Sequence, residues 1–493
     1  MNIFEKKSSV GGEVILLTLS KVVTLLITTI TTMLIARFRT VGEYGTYSEL
    51  FLVVNLATSL MMLGLPSSVN FYLARAETTS ERKNFLSVYY TLSTILSVII
   101  GLILVMAIPF IEGYFHNSAI RSFYYFLLIY PWAYIVDGSV ENLLVVYKRT
   151  SLLVVYRLLY SVVMLGVAVG VQWIGYGFSE YMVCFVVANV VFSIWVYRMA
   201  NSLSGGIGFL IDKKIIKSII VFSVPMGLST FVGTLNSEID KLLIGYLMST
   251  EEMAIYTNAA KELPLTIVAA SITAILMPKL TVMVKNKQTK KAVEMWGRAT
   301  ELSLIIIAHI VIGVFVFAEE VLTILYSAKY IEGVTVFRIY TLNLLMRVTY
   351  FGLILNAYGE TKKIMYCSIA SLGLNIVLNP IFYMFFGMIG PAIATFISIA
   401  LVMLLQLSMT AKVSKIKISG LIPWKRLSKI IIINFCFGIV FYIIKKVLPF
   451  ETVFGDICEV VLLGVIWSLI YFYVMKKQIK SAWNSLNREV TEK

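Results

Sequence analysis

Two stretches decide the fold: Val22–Phe38, VVTLLITTITTMLIARF, and Leu96–Phe110, LSVIIGLILVMAIPF, both apolar on every face. A strand of an outer-membrane barrel would show roughly ten residues alternating between apolar and polar. These runs do not alternate, and about 20 such residues make a helix that crosses roughly 30 Å of hydrocarbon. Working outward, comparable runs recur at 12–38, 43–65, 85–109, 119–146, 152–174, 178–199, 215–247, 252–279, 299–319, 331–357, 363–386, 388–411, 428–448 and 455–475, fourteen in all. No stretch between them is long enough for a soluble domain. The composition agrees: 59% of the 493 residues are hydrophobic and 14% charged, against roughly half and a quarter in soluble proteins. The expectation is an all-α polytopic membrane protein with about fourteen transmembrane helices.

Charge tests the count independently. With both termini on the inner side and bases at the span ends counted with the adjoining loops, 30 of the 42 lysines and arginines fall in inner segments, six in outer loops and six deeper within helices (Lys21, Arg157, Lys241, Lys261, Arg338, Arg347). That bias is what insertion topology produces, so most of the net charge of +15 is sidedness and not a nucleic-acid surface. The basic inner loops VKNKQTKKAVEMWGR (284–298) and AKVSKIKISGLIPWKR (411–426) are also placed to touch anionic headgroups. MNIFEKKSSVGGEV has two lysines before its apolar run and no small-residue cleavage site after it, so that run reads as a retained first helix. Cys184, Cys367, Cys436 and Cys458 lie in apolar runs without metal or redox spacing. His309 stands alone in an apolar helix and His116 in an outer loop, so neither a metal site nor a catalytic histidine is expected.

The chain also repeats itself. LIARFRTVGEYGTYS (34–48) matches LIGYLMSTEEMAIYT (243–257) at an offset of 209, Pro66 matches Pro278 at 212, and VVYKRTSLLVVY (145–156) matches NAYGETKKIMYC (356–367) at 211. The expected organisation is therefore an N-lobe of six helices over 1–200, a C-lobe of six over 210–412, two further helices over 425–475 and a cytoplasmic tail over 476–493. Two lobes of even helix number share one orientation. In transporters so built, the substrate site is near the midplane between the repeats, and rocking alternates access.

ARFRTVGEYGTYS (36–48) and EIDKLLIGYLMSTEEMAIYTNAAKE (238–262) resemble polysaccharide flippases (Wzx-like) of the multidrug/oligosaccharidyl-lipid/polysaccharide exporter superfamily, over essentially the whole chain. The resemblance implies no enzyme and no cofactor. It implies translocation of undecaprenyl-pyrophosphate-linked oligosaccharide across the bacterial cytoplasmic membrane, for O-antigen or other surface polysaccharide, coupled to a proton or sodium gradient. The implied partners are the lipid-linked glycan, membrane lipids and polysaccharide polymerase machinery. Two other readings stay open beside it. One is a lipid II flippase or multidrug/cation antiporter of the same superfamily. The other is a polytopic glycosyltransferase or polymerase, which would need a large outer loop that the sequence does not provide.

Charges inside spans cost roughly 2.5–3.5 kcal/mol at a helix centre and so mark cavities or partners. Lys21, among the threonines of SKVVTLLITTITT, and Arg347, near the centre of 331–357, are candidates for an anionic substrate group, with Lys261 third. Pairing with an acid and snorkelling remain alternatives for Lys21, and snorkelling is expected of Arg157 and Arg338 near span ends. Glu238 and Lys241, three apart on one face, form a candidate gate pair that leaves Asp240 over. Either acid could instead take up the coupling ion. Lys261 and Glu262 diverge around their helix. Asp137 and Glu141, four apart, share a face of 119–146 and could hold a proton between them. Pro225 and Gly227 in VFSVPMGLST (221–230) are the candidate hinge.

Overall fold

The computed structural model describes residues 10–62, 64–263, 265–447 and 450–491, and among these it contains helices and no strand. The chain forms two compact units, residues 1–238 with 244–254 and residues 239–243 with 255–493.

The first unit holds α1 (Val10–Phe38), α2 (Val41–Met61), α3 (Leu65–Arg75), α4 (Thr79–Met106), α5 (Ile108–Phe115), α6 (Tyr124–Asp137), α7 (Val140–Val146), α8 (Thr150–Ile174), α9 (Phe178–Ser204), most of α10 (Lys213–Leu247) and the start of α11 (Thr250–Ala259). Its interior is aromatic: Phe51 packs between Phe126, Tyr130 and Phe185 with ring centroids 5.1–5.4 Å apart. The second unit holds α12 (Thr266–Lys285), α13 (Thr289–Val316), α14 (Ala318–Tyr326), α15 (Val334–Asn343), α16 (Leu353–Ala357), α17 (Thr361–Phe386), α18 (Ile389–Ser414), α19 (Ile418–Leu421), α20 (Trp424–Val447) and α21 (Phe450–Thr491, broken at Gly455 with φ 73°). Its core centres on Trp296, Trp467 and Tyr471, all fully buried. Large apolar side chains such as Phe435, Ile443 and Leu469 remain exposed, as lipid-facing positions should.

Among the described residues, eleven helices are long and apolar enough to cross a membrane, and twelve if α2 and α3, bent by 46°, are one span. Fourteen continuous spans are therefore not what the helices give. Segment 119–146 is interrupted at Gly138 and Ser139 between α6 and α7. Segment 331–357 passes from α15 through a 3₁₀ turn, Leu344–Arg347, to α16, and 252–279 is broken between Ala259 and Thr266. Hydropathy missed these breaks because the few polar residues in them, Gly138 and Ser139, Lys261 and Glu262, and Arg347, are outweighed by the apolar residues on either side in a span-length window. The last helix also runs to Thr491, well past residue 475, with Met475 and Ala482 buried.

The duplicated motifs have duplicated geometry. At the first outer turn Thr40 and Glu43 cap α2 reciprocally, Thr40 N donating to Glu43 Oε2 (2.8 Å) and Glu43 N to Thr40 Oγ1 (3.2 Å). Ser249 and Glu252, at offset 209, repeat this at α11 with 2.9 and 3.2 Å. These are capping boxes, which satisfy two otherwise orphaned amides. The two turns pack on each other at Gly45, where a Cβ would come within 2.1 Å of the Thr250 carbonyl oxygen. The inner turns repeat as well: Lys148 (φ 53°) and Gly359 (φ 77°) close α7 and α16 in the left-handed conformation at offset 211. So does an outer arrangement of short helix, 3₁₀ turn and helix: Ile108, Ser118 and Tyr124 begin its three parts in the first unit, and Ala318, Ala328 and Val334, all at offset 210, in the second.

Candidate functional site

The broken spans are where backbone polar groups escape the helical ladder inside the membrane, which is tolerated only when buried in protein or facing water. They occur at corresponding places in the two repeats, and such pairs of interrupted segments mark binding sites in transporters. Asp137, at the first of the late breaks, and Arg347, at the second, lie at the repeat offset of 210.

In the first unit the α2/α3 and α6/α7 breaks are tied to each other. Asn142 of α7 donates to the Pro66 carbonyl (2.8 Å), and Asn70 of α3 donates to Asn142 Oδ1 (2.6 Å). Next to Asn142, Glu141 takes Lys21 on one oxygen (2.9 Å) and Arg157 on the other. Two cations thus share one carboxylate. The Lys21 and Glu141 side chains are 56% and 48% exposed within the unit. Charges facing hydrocarbon would carry the insertion cost above, so this face is hydrated. Asn55, Tyr134 and Glu238 add polar surface to the same unit, with Tyr134 Oη 3.4 Å from Asn55 Oδ1 and Asn55 Nδ2 3.5 Å from Glu238.

Asp137 is not Glu141's partner. The helix that would put both on one face stops at Gly138, and Asp137 instead accepts a 2.5 Å hydrogen bond from Tyr156 of α8. The shared-proton reading of this pair therefore loses its geometry. Arg157 does not snorkel alone either, since Glu141 holds it.

In the second unit Arg347, on its 3₁₀ turn, pairs with Glu262 at the α11/α12 break (2.8 Å). Two breaks again meet, here through charge. Glu262 thereby has a partner that its neighbour Lys261, exposed on the same break, could not provide. Asp240 is not left over: it is buried and accepts the hydroxyls of Tyr256 (2.9 Å) and Tyr340, and its own carboxylate caps the Lys241 amide (2.8 Å). A carboxylate held by three donors is fixed in place, so it reads as a rigid post more than a loading site. Arg338 pairs with Glu319 at 3.4 Å.

Pro225 lies inside α10, which continues through it. Opposite stands Gly64 at the α2/α3 break, with φ 71° and an absent Cβ that would meet Gly227 N at 2.7 Å and Ser223 O at 2.9 Å. Phe222 stacks on Phe71 (4.2 Å), and Tyr72 donates to the Ser218 carbonyl (2.8 Å). His309 stacks on Tyr471 (4.4 Å) and bonds Ser468 (2.9 Å), a packing role. Among the described residues no three His, Cys, Asp or Glu side chains gather as a metal site.

Sequence reasoning missed five structural residues in the second unit. Arg426 and Arg298 share Glu301 at 3.3 and 3.6 Å, and Lys445 pairs with the buried Glu320. Their spacing was the available signal: both the acids and their bases on α20 are nineteen apart.

Interrupted helices in repeated pairs, with compensated charges on an accessible face, define a multi-pass membrane protein of the transporter type. The chain belongs to the family described as polysaccharide biosynthesis proteins, whose pattern matches residues 34–335. Its structure is similar to that of the lipid II flippase MurJ in an inward closed conformation, with TM-score 0.69 and 14% identity over 94% of this chain and 99% of that one. It is also similar to an inward-facing multidrug resistance MATE family transporter of the MOP superfamily (TM-score 0.62, 15% identity, 80% and 96% covered). A MOP superfamily transporter from Pyrococcus furiosus gives 0.53 and 15% over 83% and 94%. In sequence it is 20% identical over 282 residues to the probable low-salt glycan biosynthesis flippase Agl15 of Haloferax volcanii, 54% of this chain and 59% of that protein. The chain thus spans about three fifths of that curated relative. The resemblance read from the two outer turns is borne out at the level of the family.

Proposed function

We propose that this protein flips a lipid-linked oligosaccharide between the leaflets of a bacterial cytoplasmic membrane, by alternating access driven by a proton or sodium gradient. Family membership supports the polysaccharide pathway, and the relative Agl15 supports a flippase. The observation that carries the chemistry is the pair of accessible ion clusters at the breaks, Lys21–Glu141–Arg157 and Arg347–Glu262. A pyrophosphate joining lipid to sugar is a dianion that can replace a carboxylate at a guanidinium or ammonium. Glu141 and Glu262 would hold the cations while the site is empty, and the lipid's phosphates would take their place. The sugar would follow the hydrated face while the prenyl tail stays in lipid. Lys261, on the break beside Glu262, would be the third phosphate contact. Glu238, Asp240 and Lys241 remain the proposed gate, with Pro225 and Gly227 as hinge.

The test is reconstitution into proteoliposomes with fluorescent undecaprenyl-pyrophosphate sugars, with and without an imposed proton or sodium gradient. Lys21→Ala and Arg347→Ala should each lower translocation at least tenfold, about 1.4 kcal/mol or more, while inserting normally. Normal translocation by both variants would sink the assignment of the site. Uptake of organic cations with no lipid movement would move the protein to the antiporter branch.

A further inference from the structure

Two adjoining cavities in the second unit, of about 490 and 420 Å³, share Lys290 and Ile416 on their walls. They lie where the ends of α12, α13, α18 and α20 come together, which is headgroup depth for helices of spanning length. Lys287, Lys290, Lys291, Lys415, Arg298 and Arg426 line them, against one acid, Glu294. Arg298 and Arg426 already share the single carboxylate of Glu301, so the walls carry a large surplus of positive charge.

Topology alone would put lysines on this side, but it would not choose these positions. Lys290 and Lys291 occupy the first turn of α13, and Lys425 and Arg426 that of α20, neither of which has an acid in that turn. A helix N-terminus carries a partial positive charge and unsatisfied amides, so bases there are repelled by their own helix. Gln288 leaves α13 without a side-chain cap. The start of α20 packs on the flank of α13, for a Cβ on Gly297, in its third turn, would come within 3.0 Å of Pro423 Cδ, and Lys290 and Arg426 from the two like-charged ends line one cavity. Such an arrangement is stable when an anion sits in it. Beside the cavities α19 exposes Ile418, and Trp424 is also exposed with its indole N–H on the Ile418 carbonyl (3.0 Å). An exposed tryptophan and isoleucine among lysines is the pattern of a segment resting in the membrane interface.

We propose that these joined cavities bind the phosphodiester headgroup of an anionic membrane lipid, which neutralises the convergent N-termini of α13 and α20 and anchors the end of the second unit in its leaflet. The site is separate from the charge clusters at the breaks and does not rest on the transport reading.

Native mass spectrometry of the full chain in neutral detergent tests it, with dioleoyl phosphatidylglycerol, dioleoyl phosphatidylcholine and inorganic phosphate as probes. Phosphatidylglycerol should be retained in preference to phosphatidylcholine. Lys290→Gln with Lys415→Gln should weaken that retention about 30-fold, equivalent to roughly 1 kcal/mol per base at an anionic surface. Lys362→Gln, which removes an exposed lysine away from the cavities, should stay within about twofold by the same reasoning. If the double variant misfolds, Lys287→Gln with Lys291→Gln removes two charges from the same walls. Undiminished retention by the folded double variants overturns the proposal. So does inorganic phosphate displacing the lipid at equal concentration, which would make this a site for free anions.

Discussion

Asp240 illustrates what a sequence can and cannot say about one side chain. Its position in EIDKLL marks it as a charge inside a span, but its partners Tyr256 and Tyr340 lie 16 and 100 residues away. No periodicity argument reaches that far. With the carboxylate buried, each tyrosine hydroxyl is a hydrogen bond to a charged group, and losing one should cost about 1.5–3 kcal/mol. Tyr340→Phe should therefore lower the unfolding midpoint in detergent clearly, and Tyr340→Phe with Asp240→Asn should recover part of the loss. No recovery would mean that the hydroxyl, and not its bond to Asp240, stabilises the unit. Gly64 makes a different demand. A β-carbon there would meet both a left-handed backbone and the Gly227 amide, so Gly64→Ala should cost more than the roughly 1 kcal/mol of the φ penalty alone. If Gly64→Ala instead unfolds at the wild-type temperature, the contact between the α2/α3 break and α10 is not close in solution.

Among the elements, the repeat was legible where it depends on polar turn residues and illegible where it depends on backbone shape. Thr40, Glu43, Ser249 and Glu252 announce themselves by type and spacing, and their capping boxes are the same. The breaks at Gly138 and Leu344–Arg347 do not, because tertiary packing selects them from residues that would also suit a continuous helix. Candidate residues suffered accordingly: Lys21 and Arg347 were legible as intramembrane cations, whereas of the acids that hold them Glu141 was grouped with Asp137 and Glu262 was given no partner. The C-terminal helices show the same division. Nineteen residues at 1.5 Å each span about 28 Å along α20, so Glu301–Arg426 ties its first turn to α13 and Glu320–Lys445 ties its last turn to α14. Gly438 faces Ile312 between them, its absent Cβ 2.7 Å from Ile312 Cγ2. Removing one member of a buried pair leaves an uncompensated charge, typically about 3–5 kcal/mol, while replacing both with apolar groups is often neutral. Lys445→Met should sharply lower the unfolding midpoint, and adding Glu320→Leu should restore most of it. A double variant no better than the single would show that the pair contributes more than mutual neutralisation.

For the whole molecule the open quantity is the number of crossings, and charge and geometry argue for it together. If the two late breaks were re-entrant loops, everything between them would change sides, carrying with it the basic turns at Lys148–Arg149, Arg198–Lys217 and Lys279–Arg298. That would invert the positive bias over the middle of the chain. Contacts within each unit oppose it as well. Arg82, in the first turn of α4, lies over the Tyr147 ring at 5.8 Å, so α4 and the α6/α7 segment must together carry the chain out and back. Lys287 and Lys415 line one cavity, which requires an even number of crossings between α12 and the end of α18. That number is even only if α15 and α16 complete one. The prediction is fourteen crossings, with α6/α7 and α15/α16 each completing one, and it can be read by labelling single cysteines in a cysteine-free protein with a membrane-impermeant maleimide. Lys83→Cys, Lys287→Cys and Lys417→Cys should react from the same side, and His116→Cys and Ile331→Cys from the other. Reaction of Lys287→Cys from the side of His116→Cys would make the α6/α7 segment re-entrant, and would move the hydrated face of Lys21 and Glu141 from the middle of a crossing to the mouth of a loop.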